Sequence, residues 1–153
     1  MVRFALDTNV LVYADGVNLV PGETRKQQLA LRFVERAPDG SIVIARQCLA
    51  EFHWVMVRRA RLAPAAVASR LRPWIRDADL IDTDAAVFDA ALILASDHQV
   101  PIFDAIILAA AVEARCDLLL SEDFHDGFAW RGVVVTNPFG PTPDKRLARL
   151  LAD

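Results

Sequence analysis

Short, fully apolar runs alternate along this chain with longer stretches in which apolar residues return every three or four positions. The first run, residues 3–6, ends at Asp7, and residues 10–14 stay apolar as an opening helical turn before Asp15-Gly16 breaks it. Residues 18–23, with Pro21-Gly22, read as a loop. Thr24 predicts a helix start, with Gln27 three residues on completing a capping-box pattern. Leu29, Ala30, Phe33, Val34 and Ala37 keep helical spacing until Pro38-Asp39-Gly40 stops the helix. Residues 41–45 form a second strand, followed by a helix from about Gln47 to Arg61. Pro64 opens another helix to about Asp77, with Pro73 disturbing its last turn. Residues 80–82 suggest a short strand. Asp84 caps a helix that ends near His98, with Val87, Ala91 and Leu94 on one stripe. After Pro101, Asp104 opens a helix to Arg115 that is apolar nearly all round and is therefore expected to be buried. Residues 118–120 and 133–135 give two more strands. Beyond Pro138, Pro141 and Pro143, Leu147, Leu150 and Leu151 mark a short amphipathic helix that docks on the domain or on a partner.

Strands apolar throughout and separated by helices predict an α/β fold whose mainly parallel sheet is covered on both faces. The 153 residues suit a single domain, expected over residues 1–140, with residues 141–153 as a tail. An apolar fraction of 54% argues against disorder. No apolar run approaches the ~20 residues of a membrane span. Met1 is followed by Arg3 and Asp7 rather than by a signal peptide. A cytoplasmic location with no membrane partner is the expectation. Cys48 and Cys116 share no ligand spacing and are expected as buried, reduced thiols. His53, His98 and His125 are scattered, which argues against a zinc hydrolase.

The net charge of −3 does not by itself mark a nucleic-acid binder, but its distribution is uneven. Arg58, Arg59, Arg61, Arg70, Arg72 and Arg76 follow one another with no acid between them; Asp77, Asp79, Asp82, Asp84, Asp89 and Asp97 then follow with no base. Such blocks are either solvated helix faces or a phosphate-contacting ridge.

In open parallel sheets, ligands sit beyond the carboxyl ends of the strands. Two strands here run into acids at that end, Leu6 into Asp7 and Leu120-Ser121 into Glu122-Asp123. Asp104 at a helix start and Glu51 in the first turns of another can face the same rim. Each has a plain reading of its own: Asp7 as a turn residue, Asp104 as an ordinary N-cap, Glu51 as helix surface, Asp123 as a solvated loop acid beside Glu122 and Asp126. Trp54, Val55 and Arg58 share the face of Glu51 and predict its partial burial. Taken together, four converging carboxylates would repel one another until a divalent cation joined them. An oxygen-only donor set suits Mg²⁺ or Mn²⁺, ions that assist phosphodiester hydrolysis.

These residues resemble PIN domains, and within them the VapC-type toxin ribonucleases of toxin–antitoxin pairs. Asp7-Thr8-Asn9-Val10-Leu11 resembles the first acidic motif, Ala50-Glu51-Phe52 the second, and Phe103-Asp104-Ala105 with Ile106-Ile107 the third. Leu120-Ser121-Glu122-Asp123-Phe124 resembles the fourth, and Val135-Thr136-Asn137-Pro138-Phe139 the last strand. The resemblance runs from residue 3 to about 140. It implies a three-layer α/β/α sandwich, Mg²⁺ or Mn²⁺, RNA cleavage, a homodimer and inhibition by a small antitoxin protein. It also implies that Asp7, Asp104 and Asp123 bind metal directly, Glu51 directly or through water, with Asn9, Ser121 and Thr8 orienting them. Where many relatives carry a further acid, this chain has His125, with Asp126 one residue late, so the fourth ligand lies between Asp123, Glu122 and Asp126. Arg58, seven residues from Glu51, is a candidate phosphate contact. The rival within this reading is an inactive PIN-like module that only binds RNA or protein. A phosphatase of the haloacid-dehalogenase kind would need an Asp where Asn9 stands, and a receiver-like domain would need a late Lys; Lys26 and Lys145 are the only lysines.

Overall fold

A computed structural model describes residues 1–17, 19 and 21–152. Of the residues read as loop or tail, Asn18, Val20 and Asp153 lie outside that description. The described elements, in chain order, are β1 (Phe4–Leu6), α1 (Thr8–Asp15), α2 (Thr24–Arg36), β2 (Ile42–Ala45), α3 (Arg46–Arg58), α4 (Pro64–Asp77), β3 (Asp79–Ile81), α5 (Ala85–His98), α6 (Ile102–Glu113), β4 (Leu118–Leu120), β5 (Ala129–Trp130), β6 (Val133–Thr136) and α7 (Lys145–Leu151).

The six strands form one sheet in the order β3-β2-β1-β4-β6-β5, parallel except for β5, which pairs antiparallel with β6. With helices on both faces, the chain is the three-layer α/β/α sandwich that the apolar strands predict. Helix α6 lies across β2, β4 and β6 with α5 packed on it, while α1, α2 and α7 pack together. The seven residues Ala105–Ala111 of α6 are all buried, as an all-round apolar helix requires. In α5 the buried residues are Val87, Ala91 and Leu94, the predicted stripe. Phe4 of β1 and Phe33 of α2 meet edge to face, ring centroids 5.1 Å apart. Cys48 and Cys116 are free and buried.

The direction of connection reverses between β1 and β4. From β1 the chain continues outward to β2 and β3; from β4 it continues outward on the other side to β6 and β5. This reversal leaves a crevice beyond the carboxyl ends of β1 and β4. Register then fixes what faces it. Leu6 pairs with Leu120, so the residues that follow, Asp7 and Ser121, stand side by side at the rim.

Several expectations fail for identifiable reasons. Thr24 is the first helical residue rather than a cap, and Gln27 donates from its side chain to the Val17 carbonyl (3.3 Å) instead of closing a capping box. Helix α4, by contrast, keeps its expected span from Pro64 to Asp77, running through Pro73 with the loss of one backbone donor. Helices α3 and α6 stop at Arg58 and Glu113 because Arg61 and Arg115 beyond them take positive φ (60° and 54°), which a helix cannot continue. The third strand lies one residue earlier than predicted, at Asp79–Ile81, in parallel register with Val43–Ala45. The two-residue β5 falls in the short apolar run Phe128-Ala129-Trp130, for which the pattern predicts no strand, and it is strand by its pairing with β6.

Helix α7 packs against α2, and its Leu147 is completely buried. Truncating Leu147 to Ala should therefore lower the unfolding free energy by about 2–4 kcal/mol, as for other buried leucines. Urea unfolding measures this; a change within about 0.5 kcal/mol, the size of a surface substitution, would mean that the tail does not contribute to the folded unit.

Candidate active site

Asp7 ends β1 and caps α1. Its extended backbone (φ −76°, ψ 160°) leaves the carboxylate free to turn back, and Oδ1 accepts the Thr8 N–H at 2.7 Å. Oδ2 accepts the Ser121 hydroxyl at 2.6 Å and the Asn9 side-chain amide at 3.4 Å. Asp7 and Ser121 are both buried. Burial pushes the Asp7 carboxyl up to about 6 despite the opposing hydrogen bonds from Ser121 and Thr8, and the nearby Asp104 and Glu51 charges raise it further.

The other acids arrive on separate elements. Asn9 bridges two of them, its amide also donating to Asp123 Oδ2 at 3.2 Å. Glu51 of α3 is held at both oxygens: Thr8 Oγ1 donates to Oε2 and Gln47 Nε2 to Oε1, each at 2.7 Å. Gln47 also reaches the Phe103 carbonyl at 3.4 Å, tying α3 to the start of α6. Asp104 is the third residue of α6, not its first; Pro101 stands at the cap and makes no side-chain bond there. The plain N-cap reading of Asp104 is thus removed. Its carboxyl is raised by burial first, then by the charges of Asp123 and Glu51. Asp7, Glu51, Asp104 and Asp123 therefore share one electrostatic neighbourhood, and no ion pair to any of them occurs among the described residues.

Glu122 and Asp126 are occupied elsewhere. Glu122 accepts from Tyr13 Oη (2.7 Å) and Lys26 Nζ (2.8 Å), the latter also pairing with Glu23 at 3.1 Å. Burial and the Glu122 bond push the Tyr13 hydroxyl up to about 12. Asp126 accepts the Asn137 N–H at 2.9 Å, securing the end of β6. Of the three acids in this loop, Asp123 alone faces the rim acids.

Two cavities meet at Asp123. The larger, about 630 Å³, is bordered by Thr8, Asn9 and Asp123 on one side and by Arg58, Arg59 and Arg61 on another. The second, about 410 Å³, borders Asp104 and Asp123 and is walled by aromatic and histidine side chains. The basic run is not one continuous ridge, because Arg70 pairs with Asp15 and Arg76 with Asp77. The arginines left without an acidic partner among the described residues include the three at the cavity. Glu51 is partly buried, as expected, but with Trp54 58% exposed its contacts come from Thr8 of α1 and from Gln47.

The donor set suits a hard divalent cation: oxygen ligands only, with the Asp7 and Asp104 carboxyls raised. Asn9 Oδ1, buried beside Asp7 and Asp123, has no hydrogen-bond partner, which is the kind of orphaned oxygen a cation or its water satisfies. Among the described residues no three Asp, Glu, His or Cys side chains close on one point tightly enough to chelate an ion unaided. The residues thus fit an ion that keeps part of its water shell better than one fully caged by protein. Sequence reasoning missed Gln47, Tyr13 and Lys26. Only Gln47 left a signal, its spacing of four from Glu51 on one helix.

The PIN domain family model matches residues 4–128. No curated protein matches the sequence. Among solved structures, a toxin–antitoxin complex from Klebsiella pneumoniae is similar, with a TM-score of 0.66 and 20% identity over 89% of this chain and 98% of that one. A VapC toxin of Mycobacterium tuberculosis described as cleaving the sarcin–ricin loop has a TM-score of 0.61 and 14% identity, over 76% and 87% of the two chains. A VapBC complex from Rickettsia felis bound to promoter DNA has a TM-score of 0.61 and 18% identity, over 88% and 98%.

Because the Asp7 carboxyl titrates near 6 when folded and near its ordinary 3.8 when unfolded, the folded state binds the extra proton between those values. Stability without metal should therefore fall as pH rises from about 4 to 6. Asp7→Asn removes this loss, so in chelator at pH 7 the variant should unfold with up to about 3 kcal/mol more free energy than wild type, from a shift of roughly two units at about 1.4 kcal/mol each. Chemical unfolding at pH 4, 5, 6 and 7 checks it; a gap that does not widen with pH would place the Asp7 pKa near normal.

Proposed function

The chain belongs to the PIN domain family, and from that premise we propose that it is a metal-dependent endoribonuclease, the toxin of a toxin–antitoxin pair. The observation that carries the reading is the meeting of Asp7, Glu51, Asp104 and Asp123, from four separate elements, in one neighbourhood without a counter-ion. The likeness of the fold to VapC toxins supports the same reading.

In this proposal Asp7, Asp104 and Asp123 hold Mg²⁺ or Mn²⁺, and Glu51 reaches it directly or through water. When bound, the ion polarises the phosphodiester and makes water a stronger nucleophile at neutral pH. The chain's own residues prepare that site. Ser121 and the Thr8 N–H fix the plane of Asp7; Asn9 spaces Asp7 from Asp123; Thr8 and Gln47 lock Glu51 from both sides. Such supporting groups set ligand geometry as firmly as the ligands themselves. Arg58, on the wall of the cavity that reaches Asp123, holds a phosphate of the RNA.

A second copy and a small antitoxin are the proposed protein partners. The apolar side chains Phe88, Leu92 and Ile93 stand exposed on α5, and Phe103 on α6 is 66% exposed, which supports a protein-covered surface. Light scattering on the purified protein should give the mass of two chains; a monomer at ~10 μM, well above the Kd of a stable dimer, would remove the second copy from the proposal.

Incubation with structured and single-stranded RNA should give cleavage with Mg²⁺ or Mn²⁺ and none with chelator. Asp7→Asn and Asp104→Asn should each lower the rate at least about 100-fold, the loss typical of a ligand that fixes a catalytic metal. Arg58→Ala should weaken RNA binding and reduce the slope of log K against log salt by about 1. Cleavage surviving either Asn substitution would assign the activity to a contaminant or to another site, and an unchanged salt slope would free Arg58 of its phosphate.

A further inference from the structure

The cavity of about 410 Å³ on the Asp104 side of the acids has no role in the chemistry above. Its volume lies within the ~300–1,000 Å³ of small-ligand sites. Its walls are Phe124 and Phe128 from the loop after β4, His98 from the end of α5, His125, and Pro101 before α6. The rings are organised against one another: Phe124 and Phe128 lie 5.9 Å apart at 36°, and His98 meets Phe128 edge to face at 5.4 Å. Phe124 and Phe128 are only partly buried, so ring surface stays open to the cavity. Neither Lys nor Arg lines it among the described residues, whereas Asp104 and Asp123 do.

These walls would repel a phosphate and accept a flat, neutral, aromatic group. The opposite cavity has the reverse character, with Arg58, Arg59 and Arg61 gathered on one wall. Both cavities end at Asp123, so a strand whose phosphate backbone follows the arginines would bring the base next to its reacting phosphate to the aromatic wall. Stacking on aromatic rings tolerates every base, because each has a π-face. His125 and the side-chain oxygen of Gln99, whose amide nitrogen donates to the Ser96 carbonyl at 3.1 Å, supply hydrogen-bonding groups at the edge.

We propose that this cavity is a nucleobase subsite, which takes one unstacked base adjacent to the cleaved phosphodiester. The proposal rests on the ribonuclease reading above for its ligand, and on the two opposed cavities for its place. A base in that subsite cannot remain in a duplex, so paired RNA would bind only where it opens.

The test uses oligoribonucleotides carrying 2-aminopurine, whose fluorescence is quenched by stacking, at each position flanking the cut. They are bound to the full-length Asp7→Asn protein with Mg²⁺ so that the strand stays intact. A parallel series with one abasic position is cut by wild type. One position should respond in both series: 2-aminopurine quenched on binding, and an abasic site there lowering kcat/KM about tenfold, the scale of one lost stacking contact. The exposed pair His98→Ala with His125→Ala should reduce that quenching without loss of folding. Cleavage that proceeds equally with an abasic site at every position, with no position quenched, overturns the subsite and leaves the ribonuclease intact. Position-specific quenching without any cleavage by wild type leaves a base-binding cavity but overturns both the ribonuclease and the placing of that cavity beside a cut.

Discussion

Everything at the rim depends on one buried carboxylate. Asp7 sits where the sheet's connections reverse direction, with the Thr8 N–H on one oxygen and the Ser121 hydroxyl on the other. The parallel register of β1 with β4 leaves no alternative neighbour for it, since Leu6 and Leu120 pair directly. Burial raises the carboxyl to about 6, so the charged form at neutral pH is held against a desolvation penalty. Asp104 and Glu51 stand close enough to deepen that cost, and Asp123 adds its charge to that of Asp104. A fold that holds Asp7, Glu51 and Asp123 by neutral donors instead of by Lys or Arg, with Asp104 beside them, gathers negative potential of the kind a cation offsets.

Much of this was legible in the sequence, and the limits are informative. Apolar periodicity located every helix and five of the six strands because each buries a continuous stripe or run. It could not see β5, whose two residues are strand only because β6 offers an edge. The acids after β1 and β4 were visible because a buried strand that runs straight into Asp has reached the end of the sheet. The choice among Glu122, Asp123 and Asp126 was not visible. It is decided by partners 11 to 109 residues away, the Tyr13 hydroxyl, Lys26 and the Asn137 N–H, which no local pattern encodes. Asp104 was placed at the helix start, where it would have been indistinguishable from a cap; one turn of the register by Pro101 moves it inside and frees its carboxylate.

The tethering of Glu122 has a structural consequence. Lys26 and Tyr13 belong to α2 and α1, so the loop carrying Asp123 is pinned to the same helical layer that carries Asn9. Asn9 then closes the circuit by donating to both Asp7 and Asp123. Four elements are thereby connected through side chains of opposite hydrogen-bonding character. The carboxylates do not touch one another, yet their spacing cannot drift independently. Asn9 Oδ1 is a buried polar atom of this circuit with no hydrogen-bond partner.

For a chain with net charge −3 to act on a polyanion, as proposed, its fields must be separated. Uniform basic charge would bind RNA but would also neutralise the acids by ion pairing. Here the arginines that could pair with the site are displaced to a cavity wall, while those farther along α4 are spent on Asp15 and Asp77. In the proposed reading the acids keep their charge for a cation, which would reverse the sign that an approaching phosphate meets. On the far side of Asp123 the surface offers rings in place of charge. The proposed attraction, reaction and discrimination would then fall to three adjoining regions. Net charge cannot predict such an arrangement, because binding depends on the field along the groove and not on the total.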